Sequence, residues 1–198
     1  MTEKNSVRVA DYPIHDLFLK RSSTRYFSEE SMSKEALLTL LEAGRWAASA
    51  YNNQPWVFIY VLRNSPNWKK YLELLFPSNR QWAEKAAALV FVASRKQAPE
   101  GKEVILLEHY SHSFDTGMAT AHIMLQAAND GWSAHPMIGF DMHGLREITG
   151  IPKNYRMEIA LAIGRPLNPS DIANNEEKPS LRLPLSEVAF EEKFEEKE

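Results

Sequence analysis

The stretch YRMEIALAI, residues 155–163, is the clearest structural signal in the sequence. Its odd-numbered positions carry the larger apolar and aromatic side chains, and its even-numbered positions carry an arginine, a glutamate and two alanines. Alternation with a period of two is the pattern of a β-strand whose two faces differ. We therefore predict a strand that ends near Gly164 and places all of its odd-numbered side chains on one face.

The sequence outside this stretch predicts a mixture of helices and a few short strands. Trp56–Leu62 and Ala88–Ala93 read as strands, the second fully buried, and His135–Phe140 reads as a short strand or a loop. Helices are predicted at Pro13–Lys20, after an N-cap at Ser33, from Ser65-Pro66 to about Leu75, from about Glu103 to Asn129, and from an N-cap at Asp141 to Gly150.

Two further boundaries follow from residue types. Residues 77–79, Pro-Ser-Asn, should break the helix that starts at Ser65, and a short helical piece should follow them. Gly131 should end the long helix as the residue after its C-cap. Because the long helix is apolar on more than one side, we expect it near the centre of the fold or at an interface.

Composition narrows the classes of function. The chain has 198 residues, 44% of them hydrophobic, which suits a single domain with a substantial core. Its 23 basic and 26 acidic residues give a formal net charge of −3, which disfavours binding to nucleic acid. The absence of cysteine excludes disulfides, thiolate metal sites and a cysteine nucleophile. With no signal-peptide pattern and no membrane-length apolar run, we expect a cytoplasmic protein.

The segment RSSTR, residues 21–25, is a candidate phosphate site. It places two guanidinium groups and up to three hydroxyls close together, and the planar fork of arginine matches two phosphate oxygens. The alternative is a solvated helix end in which Ser22 or Ser23 hydrogen-bonds to nearby backbone. The residue types alone leave both interpretations open.

Two other clusters contain groups that suit a heterocycle. SAYNNQPW, residues 49–56, holds amides that both donate and accept, as the edge of a pyrimidine requires. MIGF, residues 137–140, precedes a helix, and Gly139 would allow a ligand to approach the backbone closely. Taken singly, an ordinary turn explains either segment.

Some suggestive motifs are rejected. Asp115-Thr116-Gly117 spells the tripeptide of aspartic proteases, but it falls inside the long helical pattern. His109 and His112 could share a helix face, yet no third metal ligand has suitable spacing, so we expect no metal site. The sequence contains no GxGxxG, no Walker A motif and no GxSxG.

Six segments in order resemble the motifs of the nitroreductase superfamily along nearly the whole chain. They are RSSTRYF at 21–27, ASAYNNQPW at 48–56, LQAANDGW at 125–132, HPMIGFD at 135–141, the strand and Gly-x-Pro at 158–166, and LRLP at 181–184. The resemblance implies an α+β fold in which helices flank a central, mostly antiparallel sheet. It also implies one domain over residues 1–198, with residues from about 165 onward forming an arm that wraps a partner in a homodimer.

The same resemblance implies that FMN is bound at the dimer interface. It assigns the phosphate and ribityl chain to Arg21, Ser22, Ser23 and Arg25, joined by Arg182. Ser49, Ala50 and Asn52 would approach the flavin from the other subunit, Asn79 or Gln81 would meet its polar edge, and Ile138 and Gly139 would offer backbone bonds near its N5 atom.

The implied activity is an FMN-dependent oxidoreductase. NADH or NADPH would donate a hydride, and a nitroaromatic, a quinone or a related acceptor would receive it in a ping-pong cycle, with the flavin and no catalytic side chain carrying the chemistry. The choice between NADH and NADPH stays open. The alternatives are another chemistry on the same flavin site (ene reduction, dehalogenation or flavin fragmentation) and a flavin-binding module with little turnover.

This chain departs from the motifs of the family at four positions. Ala48 stands in place of a proline and Ala50 in place of a serine, which removes one hydroxyl. Ser180 stands where some members have lysine, and Ile138 where some have glutamate. None of these changes removes the groups assigned to FMN, but they leave the substrate undefined.

Overall fold

The computed structural model describes residues 8–97, 110–172 and 179–194. Its helices and strands follow one another as α1 (Asp16–Lys20), α2 (Lys34–Arg45), β1 (Trp56–Leu62), α3 (Trp68–Leu72), α4 (Pro77–Ala83), β2 (Ala88–Arg95), α5 (His112–Asn129), β3 (Ser133–Met137), α6 (Met142–Thr149) and β4 (Tyr155–Gly164). In the described ranges, no helix is both long enough and apolar enough to span a membrane.

The strands form one antiparallel sheet in the order β1-β2-β4-β3. The long strand β4 lies in the interior of the sheet, and the short strand β3 pairs only with its second half, from Ser133 opposite Gly164 to Met137 opposite Ala160. Pro136 is tolerated in β3 because an edge strand need not donate every backbone N–H. The predicted α+β class with a mostly antiparallel sheet is confirmed.

Both faces of the sheet are covered, which explains why β2 reads as one apolar run. Leu89 and Phe91 point to the side where α4 and α6 pack, and Val90 and Val92 point to the side of α2 and α5. All four side chains are at most 1% exposed. A strand buried on both faces loses the polar alternation that a half-exposed strand keeps.

A β-bulge in β4 corrects the prediction from the alternating stretch. Val92 pairs with Ile159 and Ala93 pairs with Met157, so Glu158 is an extra residue on β4. The bulge reverses the facing of the strand, and Met157 packs with Ala160 on the α4 side while Ile159 packs on the α5 side. The prediction that all odd-numbered side chains share one face is therefore wrong at Met157.

Several helix boundaries also differ from the prediction. The first helix begins at Asp16, after an N-cap at His15 whose Nδ1 accepts from the Leu17 N–H at 3.2 Å. Ser65-Pro66 lies in a turn rather than at a helix start, since α3 covers only Trp68–Leu72. Pro77 begins α4 instead of breaking a helix, because proline suits the first turn, where no backbone N–H is needed.

Other boundaries are confirmed. Ser33 caps α2 through a 3.0 Å bond to the Ala36 N–H, and the Asp141 carboxylate caps α6. Gly131 has a φ of 76°, as expected of the residue that follows a C-cap. The long helix α5 begins at His112; the part predicted at residues 103–109 lies outside the described residues.

Candidate functional site

The segment 21–25 has no regular secondary structure, and side chains from other parts of the chain hold its backbone carbonyls. These bonds run from Arg8 Nη1 to Arg21 O at 2.6 Å, from Ser133 Oγ to Ser22 O at 2.9 Å, and between His135 Nδ1 and Thr24 O at 3.0 Å. Ser133 and His135 are two positions apart on β3 and share a face, which matches the spacing of the carbonyls that they hold. Edge strand β3 therefore fixes the shape of the segment.

Three guanidinium groups gather beside this segment. Burial is the main cause that lowers the pKa of Arg21, and the neighbouring guanidiniums of Arg8 and Arg182 lower it further. The Arg21 side chain donates from Nη1 to Ser23 Oγ at 3.1 Å. In the part of the chain that the structure describes, none of the three guanidiniums has a carboxylate within 4.0 Å. A cluster of cations without an internal counter-ion suits an anionic ligand.

An aromatic side chain borders the cation cluster. The Arg25 guanidinium carbon lies 5.9 Å from the centre of the Trp82 ring, within the range of a cation–π contact. The His135 ring also contacts the Trp82 ring, with ring centres 4.5 Å apart and ring planes tilted by 43°. Trp82 thus connects α4 to both β3 and the segment 21–25.

Farther along β3, the backbone turns away from the sheet and presents two amide groups. The N–H groups of Ile138 and Gly139 donate to no acceptor among the described residues. Gly139 O accepts from Asn79 Nδ2 at 3.0 Å and from the Phe76 N–H at 3.0 Å. A Cβ at position 139 would come within 2.7 Å of Asn79 Nδ2, so only glycine allows this contact. Ile138 is 77% exposed, which leaves the turn open to a ligand.

The structure separates the two alternatives on α4. Asn79 contacts Gly139, and Trp82 follows it by three positions on the same helix face. Gln81 follows Asn79 by two positions, which turns it by about 200° to the far side of the helix. Gln81 is exposed and has no hydrogen-bond partner among the described residues. Asn79 is therefore part of this surface and Gln81 is not.

The loop 49–54 forms a second, separate group. Tyr51, Asn52 and Gln54 have φ values of 52°, 52° and 46°, in the left-handed region that costs energy for a residue with a side chain. The Ala50 N–H donates to Asp115 Oδ2 at 3.1 Å, and the Gln54 N–H donates to Ser49 Oγ at 3.0 Å. These bonds hold the loop in a conformation that it would not adopt alone.

Asp115 is the anchor of this loop, and sequence reasoning missed it. Its side chain is 2% exposed in the first turn of α5, where the helix dipole favours a carboxylate. It also accepts from Ser111 Oγ at 3.1 Å. Asp115 was singled out only as part of a misleading tripeptide, and no local signal links it to Ala50, which lies 65 positions earlier.

His112 belongs to a structural cluster at the same end of α5. Its Nδ1 lies 2.7 Å from Ser94 Oγ, and the Glu158 carboxylate accepts from Ser94 Oγ at 2.5 Å and from Ser113 Oγ at 2.6 Å. Because the bulge in β4 aims Glu158 at the first turn of α5, this cluster fixes the end of the helix that carries Asp115. His109, the other histidine of the proposed pair, lies outside the described residues.

Within one chain, the two groups stand far apart. The loop 49–54 is bonded to Asp115, near the start of α5. The segment 21–25 is bonded to Ser133, just after α5 ends at Asn129. Asp115 and Asn129 are 14 positions apart on the helix, or about 21 Å. The strand pairing gives the same separation. The start of β1 is level with Arg156 at one end of β4, whereas β3 starts opposite Gly164 at the other end, about 26 Å away. One chain does not bring the two groups to a common ligand.

Comparison with known proteins agrees with this architecture. The model of the Nitroreductase family matches residues 19–165. The chain belongs to the nitroreductase family. One relative is a protein of Archaeoglobus fulgidus with the provisional name NADH dehydrogenase/NAD(P)H nitroreductase. The two sequences are 31% identical over 76% of this chain and 84% of that protein. An iodotyrosine deiodinase of Thermotoga neapolitana is 25% identical over 79% of this chain and 90% of its own length.

A solved structure shows the same fold over the full length of both chains. It is a crystal structure described as an oxidoreductase containing FMN, with 39% identity, a TM-score of 0.88 and complete coverage of each chain. Since the family model ends at residue 165, the likeness to this structure extends to the C-terminal segment with Arg182.

Proposed function

We propose that this protein is an FMN-dependent oxidoreductase that takes a hydride from NADH or NADPH and reduces a nitroaromatic, a quinone or a related acceptor. The observation that carries the proposal is a set of ligand-binding groups along β3 and the turn that follows it. It has a cluster of cations at the end near Ser133 and two open backbone N–H groups at Ile138 and Gly139, about 16 Å farther along the chain. A ligand with a phosphate at one end and a hydrogen-bonding ring system at the other fits these groups.

The residues divide between the two ends of such a ligand. Arg21, Ser22, Ser23, Arg25 and Arg182 would hold the phosphate and the adjoining hydroxyls. Asn79 and the N–H groups of Ile138 and Gly139 would hold the ring, whereas Gln81 is left out because it faces away. When bound, FMN supplies the capacity to accept a hydride from a nicotinamide and to pass electrons to a second substrate. The chain would supply positive charge and hydrogen bonds, and the exposed turn at Ile138 would leave the bound ring accessible to a second substrate.

We further propose a homodimer with two equivalent sites at the interface. The loop with Ser49, Ala50 and Asn52 cannot reach the ligand surface of its own chain, so a second copy would have to present it. The described part of the C-terminal segment supports this, because Leu181, Leu183 and Val188 are 59–67% exposed. Exposed leucines in an extended segment favour contact with another chain over contact with water. In this proposal the segment after residue 165 is the arm of a single domain.

We place the protein in the cytoplasm, where its nicotinamide donors are available, and the lack of cysteine is compatible with that location.

The test starts from the absorption spectrum of the purified protein. We expect bound FMN, loss of its visible absorption when NADH or NADPH is added without oxygen, and recovery when a nitroaromatic or a quinone is added. Sedimentation should give twice the chain mass. A colourless protein that takes up no FMN would overturn the cofactor, and an FMN-binding monomer would overturn the dimer.

A second candidate is reductive dehalogenation at the same site, which the similarity to the Thermotoga neapolitana deiodinase favours. The two candidates share the cofactor surface and differ only in the acceptor. Steady-state oxidation of NAD(P)H with matched sets of nitrophenols, quinones and iodophenols distinguishes them, because each candidate predicts turnover with its own acceptor class. A protein whose FMN cannot be reduced by either nicotinamide would instead be a flavin-binding module.

A further inference from the structure

Arg8 lies before the residues that the family model matches, and none of the motifs quoted above includes it. Its side chain nevertheless reaches the candidate phosphate segment. Nη1 donates to Leu19 O at 3.0 Å and to Arg21 O at 2.6 Å. These carbonyls lie at the C-terminal end of α1, where helix carbonyls have no partner within the helix and a cation is favoured. The position of Arg8 is therefore well determined.

Among the residues that the structure describes, only Nη1 of this guanidinium has a hydrogen-bond partner. Arg8 Nε is buried and has no hydrogen-bond partner in the described part of the chain. Among the described residues, no carboxylate lies within 4.0 Å of Arg8. Arg80 and Arg95 also have a buried Nε without a partner there. What distinguishes Arg8 is its position against Arg21 and near Arg182. A buried donor without a partner is unfavourable unless something outside the described residues satisfies it.

The charge of Arg8 adds to the cluster already described. Arg8, Arg21 and Arg182 come from three separate parts of the chain, in a protein whose net charge is −3. Guanidinium groups that lie close together repel one another in the absence of an anion. A phosphate monoester carries close to two negative charges at neutral pH and would reverse the sign of that interaction.

We infer that Arg8 is a further residue of the phosphate site, which holds the backbone of Arg21 in place and adds a fourth guanidinium to those of Arg21, Arg25 and Arg182 that the phosphate meets. This inference rests on the proposed function. It predicts that Arg8 affects the binding of FMN, which ends in a phosphate, and leaves the binding of riboflavin, which lacks the phosphate, unchanged. A side chain that only stabilised the fold would affect both flavins alike.

The experiment compares Arg8→Gln and Arg8→Lys with the wild type and with Arg146→Gln. Arg146 is a matched control, because its guanidinium also holds carbonyls after a helix, those of Ile151, Pro152 and Tyr155, at the opposite end of β4. Dissociation of FMN from the purified holoprotein is followed by flavin fluorescence on dilution. The protein is then exchanged into riboflavin, and the measurement is repeated.

For Arg8→Gln we expect an FMN dissociation constant raised about tenfold, as for the loss of one partly screened charge, and a riboflavin constant changed less than twofold. Arg8→Lys keeps the charge and should retain most of the preference for FMN, and Arg146→Gln should keep all of it. An unchanged ratio of the two constants in Arg8→Gln would overturn the inference, whether both flavins bind as before or both bind more weakly.

If Arg8→Gln does not fold, Arg8→Lys and the wild type are compared at rising salt concentration. Salt should weaken FMN binding in both and leave riboflavin binding unchanged, and equal salt effects on the two flavins would overturn the inference. A wild-type protein that binds FMN while Arg8→Gln keeps the same preference for FMN over riboflavin would refute the role of Arg8 alone. A wild type that takes up no FMN would refute the proposed function as well.

Discussion

The two ends of the sheet hold their candidate residues in opposite ways. At the end where β3 begins, the segment 21–25 is partly buried except for the exposed Arg25, and side chains such as Ser133 and His135 hold its carbonyls. At the other end, a carboxylate that is 2% exposed holds the loop 49–54, which has three residues in the left-handed region. The first end has surplus positive charge, and the second has internal bonds and backbone strain.

This difference indicates what each end can do. A surface with surplus positive charge gains free energy when an anionic ligand arrives, so it suits the primary binding site. A strained loop fixed by a buried anchor gains little by itself but presents a defined shape to another molecule. In the proposed dimer, the second end of one copy would cover the first end of its partner. The two ends should therefore respond differently to substitution, in stability at one end and in flavin affinity at the other.

The largest effect is expected from Asp115→Ala. The change removes a buried carboxylate that accepts from the partly buried Ala50 N–H and Ser111 hydroxyl, and it should lower the free energy of unfolding by about 3 kcal/mol. Urea denaturation measures it. Asp130→Ala is the control, since that carboxylate is exposed at the other end of α5 and should cost well under 1 kcal/mol. Equal losses in the two variants would show that Asp115 is not the anchor.

Arg21→Ala and Arg25→Ala should show the reverse behaviour. Each should weaken FMN retention by roughly 1.5–3 kcal/mol, the usual size for a hydrogen bond to a charged group, and should change the free energy of unfolding little. Flavin fluorescence and urea denaturation on the same samples compare the two quantities. If neither variant changes the affinity for flavin, the phosphate lies elsewhere.

Gly139→Ala should have an intermediate effect at the ring end of the surface. The added Cβ would lie 2.7 Å from Asn79 Nδ2 and 3.3 Å from Phe76 Cδ2, so one of these groups must move, and FMN should bind more weakly by about 1–2 kcal/mol. Gly117→Ala in α5 is the control, because nothing lies within 4 Å of its Cβ position. That variant should gain up to about 1 kcal/mol of stability from helix propensity. Similar flavin affinities in both variants would contradict the close contact at Gly139.

The smallest effect concerns an exposed ion pair just before the strained loop. A hydrogen bond from Arg45 is the main cause that lowers the pKa of Glu42 from 4.5 to about 2, and a hydrogen bond from Trp46 contributes next. A lowered pKa in the folded state means that the contribution of Glu42 to stability is full above pH 4.5 and is lost as the pH falls towards 2. Carboxyl NMR should give a midpoint near 2, and Arg45→Gln should raise it towards 4.5. Little change in overall stability should accompany this, because the pair is solvated.

Local patterns predicted most of the elements because their causes are local. Ser33 and Asp141 cap their helices as expected, since a cap depends on a side chain and an amide two or three positions away. Proline at position 77 was misjudged because the same residue breaks a helix interior and begins a new helix, and only the surrounding structure decides which. The bulge at Glu158 left no trace in the alternating pattern, because it is defined by the partner strand.

The sequence by itself determined the family, the α+β class and the residues proposed to meet the phosphate, because the motif at 21–27 and the others that follow it are short and local. Only the tertiary structure decided which groups lie together. It joined Asp115 to Ala50, placed Arg8 against Arg21, and turned Gln81 away while keeping Asn79 against Gly139. These contacts depend on how distant elements pack, and packing is a property of the whole core that no single stretch of residues records.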